Sequence, residues 1–379
     1  MKRQLEWIEI PEEHEARERA WRVVSAAFAQ REPQPRRGSW KPAAALAIAL
    51  VVAAGLLSPP GRAVLDEIRE VVGVEKAQPA LFSLPAPGRL LVTGATGPWV
   101  VQPNGSKRLL GSYDSATWSP HGRYVIATRA NELAALDPKG PTRWSLARPR
   151  IGPAAWGGTR VDTRVAYATR DRLQVVGGDG RGDQLLFSAP DVPDAPIAWA
   201  PGSVRLLAHS TQGILRLLDV AAKGEEVWSA SIAQPFALAW TSDGERLVAV
   251  SRNALVAFDA RGRRVVTHAL AGRATSAAIN PTTHTIAVAL RLRGTDRSEV
   301  FSFSLDRQSA AQRRLFGGAG TFDGLAWSPN GRWLLVAWQD ADQWVFVRSA
   351  RTPRIDAVAN VSDQFGGSFP RIEGWCCPG

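Results

Sequence analysis

A short phrase recurs along the chain: two mostly small residues, a tryptophan, then x-Pro-x-Gly-Arg and a β-rich run. Ala116-Thr117-Trp118-Ser119-Pro120-His121-Gly122-Arg123 and Leu325-Ala326-Trp327-Ser328-Pro329-Asn330-Gly331-Arg332 are the clearest copies. Weaker ones centre on Trp156, Trp199 and Trp240, a degenerate one on Ile279 before Asn280-Pro281, and the last is Gly374-Trp375-Cys376-Cys377-Pro378-Gly379. Successive centres lie 38, 43, 41, 39, 48 and 48 residues apart. A unit of this length cannot bury its apolar face alone, and it has room for four short antiparallel strands, which is one blade of a propeller. Within a unit the first strand ends in the Trp, Pro-x-Gly turns the chain, and an apolar strand follows, such as Tyr124 to Thr128 or Leu247 to Ser251. A second turn signal such as Asp137-Pro138-Lys139-Gly140 ends the third strand, and Thr142 to Ala147 is a typical fourth.

The last copy has no room for a second strand, whereas Gly88 to Leu110 reads as strands two, three and four with no first. The two fragments complement each other. The expected fold is therefore all-β, a seven-bladed β-propeller over residues 88–379, closed by a C-terminal inner strand so that no sheet edge stays open. Composition agrees: with 34 Gly, 26 Pro and 15 Trp among 379 residues, the body is turn-rich rather than a helical bundle. At 45% hydrophobic and 21% charged it is neither wholly disordered nor polytopic in a membrane. The only cysteines are the neighbours Cys376 and Cys377, which excludes a disulfide framework and a four-thiolate metal site. An oxidising compartment would allow a vicinal disulfide, but neighbours on a strand point to opposite faces, so two separate thiols are the favoured expectation.

Ahead of the repeats, every residue from Pro42 to Leu57 is apolar. With its flanks, 41–58 is expected to form a transmembrane helix. Residues 1–41 carry nine Lys or Arg, against three in the twenty residues after the span, which predicts a cytoplasmic N-terminus and an extracytoplasmic propeller on a single-pass anchor. In segment 1–40, Pro11-Glu12-Glu13 opens a helix over residues 11–30 whose stripe of Trp21, Val24 and Phe28 has no core of its own, so it is expected to lie on lipid or bind a cytoplasmic protein partner. Segment 59–87 is expected to hold a juxtamembrane helix, Gly61 to Val72, and a Pro-rich linker that spaces the propeller from the bilayer.

The Trp-Ser-Pro-x-Gly-Arg units resemble those of TolB-like, WD-repeat-like bacterial propellers, and the resemblance covers residues 88–379. It implies a six- or seven-bladed propeller that binds partners rather than turning over substrate. The Gly-His and Trp-Asp dipeptides of true WD repeats are missing. The tethered layout also resembles exported domains of bacterial transmembrane regulators, anti-sigma proteins among them, although the zinc-binding His and Cys residues of one such class are absent from residues 1–41.

Signatures of catalysis are scarce. The sequence has no Gly-x-Ser-x-Gly, no Walker loop and no complete calcium loop; Asp340 and Asp342 lack the downstream ligands. Gly177 to Gly182 reads as a hairpin turn because no helix pattern follows it. No cofactor and no metal are expected. The reading is a non-enzymatic binding or sensing module. The alternatives are a regulator of transcription acting through residues 1–40 and a metal-dependent propeller lactonase. The recurrent Trp and the Arg after each turn (Arg89, Arg123, Arg164, Arg205, Arg246, Arg332) are expected to serve packing.

The departures from the repeat mark the candidate site. Aligned on the Trp, Arg129, Arg170 and Arg252 fall at the end of strand two, with Arg291 and Arg293 close to that place in the blade that lacks the Trp. The loops entering strand one bring Asp114, Phe236, Asp323 and Arg371 to the same face. Glu373 stands where other units hold an apolar residue and is expected to pair with Arg371. This arc is expected to bind an anionic partner, whether an acidic protein, an envelope polymer or lipid headgroups; no nucleic-acid partner is expected.

Overall fold

The computed structural model describes residues 83–189, 196–306, 312–350 and 354–377. The sequence readings for the helix of 11–30, the span of 41–58 and the helix of 61–72 lie outside them. Among the described residues no helix is long and apolar enough to cross a membrane.

Strands of three to eight residues, broken by Pro-Gly and Asp-Gly turns, form seven four-stranded antiparallel sheets. In the first blade the inner strand is Arg371–Cys376, followed outward by Arg89–Gly94, Gly97–Val101 and Lys107–Leu109. The ring therefore closes as the sequence predicts: Leu90 pairs with Trp375, Leu91 with Gly374 and Thr93 with Arg371. In the next six blades the strands run outward in chain order, from inner strands Ser115–Trp118, Ala154–Gly158, Ile197–Trp199, Pro235–Trp240, Gly272–Ile279 and Phe322–Trp327. The sixth blade owes its longer spacing to eight-residue strands, Thr285–Leu292 and Arg297–Ser304. The seventh adds a 3-10 turn, Ser362–Phe365, before the closing strand.

The tryptophans pack between blades. Trp199 Nε1 donates to Ala155 O of the preceding blade at 3.0 Å, Trp240 to Ala198 O at 3.3 Å and Trp327 to Ala278 O at 3.1 Å. The acceptor each time is the small residue just before the neighbouring blade's own centre. Small size is obligatory where the strands converge: a Cβ on Gly157 would come within 2.2 Å of the Trp199 ring. Farther out, Trp144 and Trp228 donate to Gly178 O and Ala260 O in the next blade's hairpin turn. The Gly177 to Gly182 stretch is that hairpin, its Gly180 at φ +82° packed under Trp144. The arginines after each turn share a place but not a partner. Arg89 lies over Trp118, Arg205 pairs with Asp219, and Arg246 approaches Asp306.

The expectation of two separate thiols is overturned: Cys376 and Cys377 are joined as a vicinal disulfide. Cys376 ends the closing strand, and Cys377 has already turned into the left-handed region at φ +52°. The alternation that would point the side chains apart therefore no longer applies. The packed body also begins earlier than residue 88, since Leu84 and Ala86 are buried with Trp333, Phe346 and Trp375.

Antiparallel order fixes two faces. The one-to-two and three-to-four turns share one, here the turn face. The two-to-three loops and the blade-to-blade connections share the other, the loop face.

Candidate functional site

All nine charged residues singled out in the sequence lie at or near the loop face, yet the structure divides them. Arg129 is the last residue of Val125–Arg129 and sits directly across the hairpin from Glu132. Its guanidinium pairs with that carboxylate and lies 5.5 Å from the centre of the Tyr113 ring. Burial, and then the Glu132 charge, push the Tyr113 hydroxyl pKa up. Arg129 and Asp114 line one pocket of about 590 Å³ with Ser112, Asn131, Glu132 and Ser145.

Asp114 is fixed by its backbone: its N–H donates to Thr128 O at 2.8 Å, and its carbonyl accepts from Arg371 Nη2 at 3.0 Å. Arg371 turns its Nε and the same Nη2 onto Glu373 Oε1, at 3.0 and 2.6 Å. Burial raises the Glu373 pKa, and the Arg371 charge opposes that rise. The first and second blades are thus stitched through Glu373, Arg371 and Asp114.

A second group forms on the sixth and seventh blades. Arg291 pairs with Asp296 and donates through Nη1 to Thr321 Oγ1 at 3.2 Å. The Thr321 N–H in turn donates to Asp340 at 2.7 Å. The Asp323 pKa is raised by burial and then by the Asp340 charge. Phe236, 39% exposed, lies on the inner strand of the fifth blade.

Arg170, Arg252 and Arg293 are exposed, and no carboxylate among the described residues lies within ion-pair distance of them. Their position explains this. Arg129 closes a strand, so the hairpin gives it a cross-strand partner. Arg170 and Arg252 sit one residue beyond their strands, Thr163–Thr169 and Arg246–Ser251, at the turn itself, where nothing faces them. The corresponding turn of the fourth blade holds Gln212, and that of the seventh holds Asp340, so the arc is interrupted. Sequence reasoning passed over Glu132, Tyr113 and Asp296. Glu132 was legible, because a two-residue hairpin makes positions i and i+3 a facing pair.

No protein-family model and no curated protein matches this sequence. Solved structures do resemble it in fold. A protein of unknown function from Desulfotomaculum acetoxidans is 13% identical, with a TM-score of 0.56, covering 77% of this chain and 100% of its own. The β-propeller domain of Cps50 (Swd1) from Myceliophthora thermophila is 16% identical, with a TM-score of 0.55, covering 70% and 96%. A candidate 6-phosphogluconolactonase from Bacteroides fragilis is 14% identical, with a TM-score of 0.54, covering 77% and 98%. At such identities the likeness is of fold: an all-β, seven-bladed propeller with WD40-type neighbours. Among the described residues no three His, Cys, Asp or Glu side chains gather as a metal-ion set.

Proposed function

We propose that this chain is a membrane-tethered, extracytoplasmic propeller of TolB-like kind that works as a non-enzymatic binding module, taking an anionic protein partner on its loop face. One observation carries the reading: Arg170, Arg252 and Arg293 stand exposed and without carboxylate partners on blades three, five and six of a single face. Packing does not account for them, and loops of this kind vary without disturbing the blades. Arg129, Arg291 and Arg371 hold that face in shape through their own ion pairs, and the pocket between Asp114 and Arg129 gives it relief. The loop-face cations would steer an acidic surface towards the ring and orient it there.

The test is a photo-crosslinking amino acid at position 171 or 253, the exposed neighbours of Arg170 and Arg252 in the same turns, in the full chain, expressed in its native host. A discrete adduct is expected from both positions. It should be lost when Arg170, Arg252 and Arg293 are changed together to Glu, while the melting temperature stays within about 2 °C of the parent, as for exposed substitutions generally. An adduct of unchanged yield in the triple variant would place the binding surface elsewhere.

A further inference from the structure

The opposite face has its own chemistry. The described chain starts there: Leu84 donates its N–H to Pro103 O in a turn of the first blade, and Gly88 lies against Pro329 in a turn of the seventh. Both are turn-face segments. In sequence, 25 residues, 58–82, separate Ser83 from the apolar run Pro42 to Leu57.

Val161 is the most exposed large hydrophobic residue described, at 98%, with Val227 next at 50%. It is not on a slack loop. The turn that carries it is closed by Thr159 N–H to Asp162 O at 2.7 Å, and Thr159 Oγ1 accepts the N–H groups of Val161 and Asp162 at 3.3 and 3.1 Å. The turn holds an apolar side chain out into solvent, at a standing cost in hydration that no contact within the described residues offsets.

Around this tip, on the second and third blades, are Arg123, Lys139, Arg160 and Arg181, all exposed and none within ion-pair distance of a carboxylate among the described residues. Arg143 is paired with Asp137. Asp162, Asp179 and Asp183 are the other carboxylates of the sector; Asp183 is paired with Arg148 and Asp179 is engaged with the Arg181 N–H, so unpaired cations predominate. Beside Val161 a pocket of about 480 Å³ is walled by Tyr124 and Trp144, the two residue types that favour the headgroup layer of a bilayer.

We propose that the turn face of the second and third blades docks on an anionic lipid bilayer, with Val161 entering the acyl boundary and Arg123, Lys139, Arg160 and Arg181 meeting lipid phosphates. The combination decides the occupant. A nucleic acid or an acidic protein would use the cations but gives no reason for a rigid turn to hold one valine wholly in water. A bilayer uses both, through apolar insertion and through attraction of about 1 kcal/mol for each basic residue near the surface. This docking rests on the membrane-tethered reading above, and Leu84, near the start of the described ring, lies on this same face.

The full chain, carrying a fluorescent non-natural amino acid at position 161 or at Gln212 on the loop face, is reconstituted in nanodiscs of brominated phosphatidylcholine, alone or with about 30% phosphatidylglycerol to supply the anionic surface. Quenching at 161 and none at 212 is expected, only on the anionic discs, and reversed by salt. Changing Arg123, Arg160 and Arg181 to Glu should shift the docked-to-undocked ratio on the order of a hundredfold. Quenching at both positions, at neither, or equally on neutral discs overturns the proposal. Capture of a DNA duplex through the same three arginines, without quenching at 161, assigns the face to nucleic acid and overturns it as well.

Discussion

Two histidines with opposite surroundings set limits on the pH range of this ring. His284, in a turn of the sixth blade, lies between two carboxylates: Nδ1 faces Asp306 Oδ1 at 2.7 Å and Nε2 faces Asp243 of the fifth blade. A neutral imidazole has only one N–H, so satisfying both acceptors requires the cation. The hydrogen bond with Asp306 raises the His284 pKa most, burial opposes it, and Asp243 adds to the rise. Burial works against ionised Asp243, but Thr241, the Glu245 N–H and His284 outweigh it and hold that carboxyl at about 2. His209 in the fourth blade is the reverse case. It is fully buried, its ring nitrogens have no well-aligned partner, and burial, helped by the Arg216 charge, lowers its pKa to about 4. A raised pKa contributes stability below the unfolded value that fades as pH rises through the folded one. A lowered histidine pKa costs stability as pH falls from the unfolded value, about 6.5, towards 4. Melting curves from pH 4 to 9 should therefore show two limbs. His284→Ala should lower the midpoint by about 2 °C near pH 6 and by progressively less at higher pH. His209→Leu should flatten the acid limb. If neither variant changes the shape of the profile, these assignments are wrong.

At the scale of the strand, the closing segment Arg371–Cys376 bears a load that none of the other inner strands bears, because it joins the end of the ring to its start. Removing residues 370–379 would strip the partner from Arg89–Gly94, expose its N–H and C=O groups, and remove Trp375 from the cluster that holds Leu90 and Phe346. The truncated chain is expected to aggregate, or to melt at least 10 °C lower, as a size-exclusion trace and a thermal scan would show; a cut of this kind removes several buried contacts at once. An unchanged midpoint would disprove this closure. That strand was readable in advance because Gly88 to Leu110 lacks a first strand and residues 371–376 lack the other three. The propeller was legible for the same reason: turn residues recur at fixed offsets and dictate where strands end. The site was less legible. Whether an arginine is paired or free depends on a single residue of turn register, which separates Arg129 from Arg170 and Arg252, and spacing from a distant Trp does not resolve that. The disulfide was misread because strand alternation was carried one residue past the strand. Val161 could have been noticed as a valine in a turn, but only the fold shows that nothing covers it.

For the whole molecule, the ring is closed inside a blade rather than between blades, and this difference can be tested. Trp375-Cys376-Cys377-Pro378-Gly379 followed by Gly88-Arg89 spells a turn of the same kind as Trp118-Ser119-Pro120-His121-Gly122-Arg123. Joining Gly379 directly to Gly88 should therefore make the first blade continuous, and the chain can then be opened at another place. Opened between Pro201 and Gly202, an exposed one-to-two turn of the fourth blade, the ring is again held by a β-ladder within one blade. Opened between Ala233 and Gln234, an exposed connection of the fourth blade to the fifth, it is held only by packing, such as Trp240 against the Ala198 carbonyl. Ladder hydrogen bonds are directional and cooperative, whereas the contact between blades is mostly apolar packing. Both permutants lack the buried Leu84 and Ala86, so they are compared with each other: the second is expected to melt at least about 5 °C below the first, both monomeric with the same far-ultraviolet spectrum. Equal midpoints for the two permutants would show that packing between blades alone suffices and that closing the ring by a shared blade adds no stability.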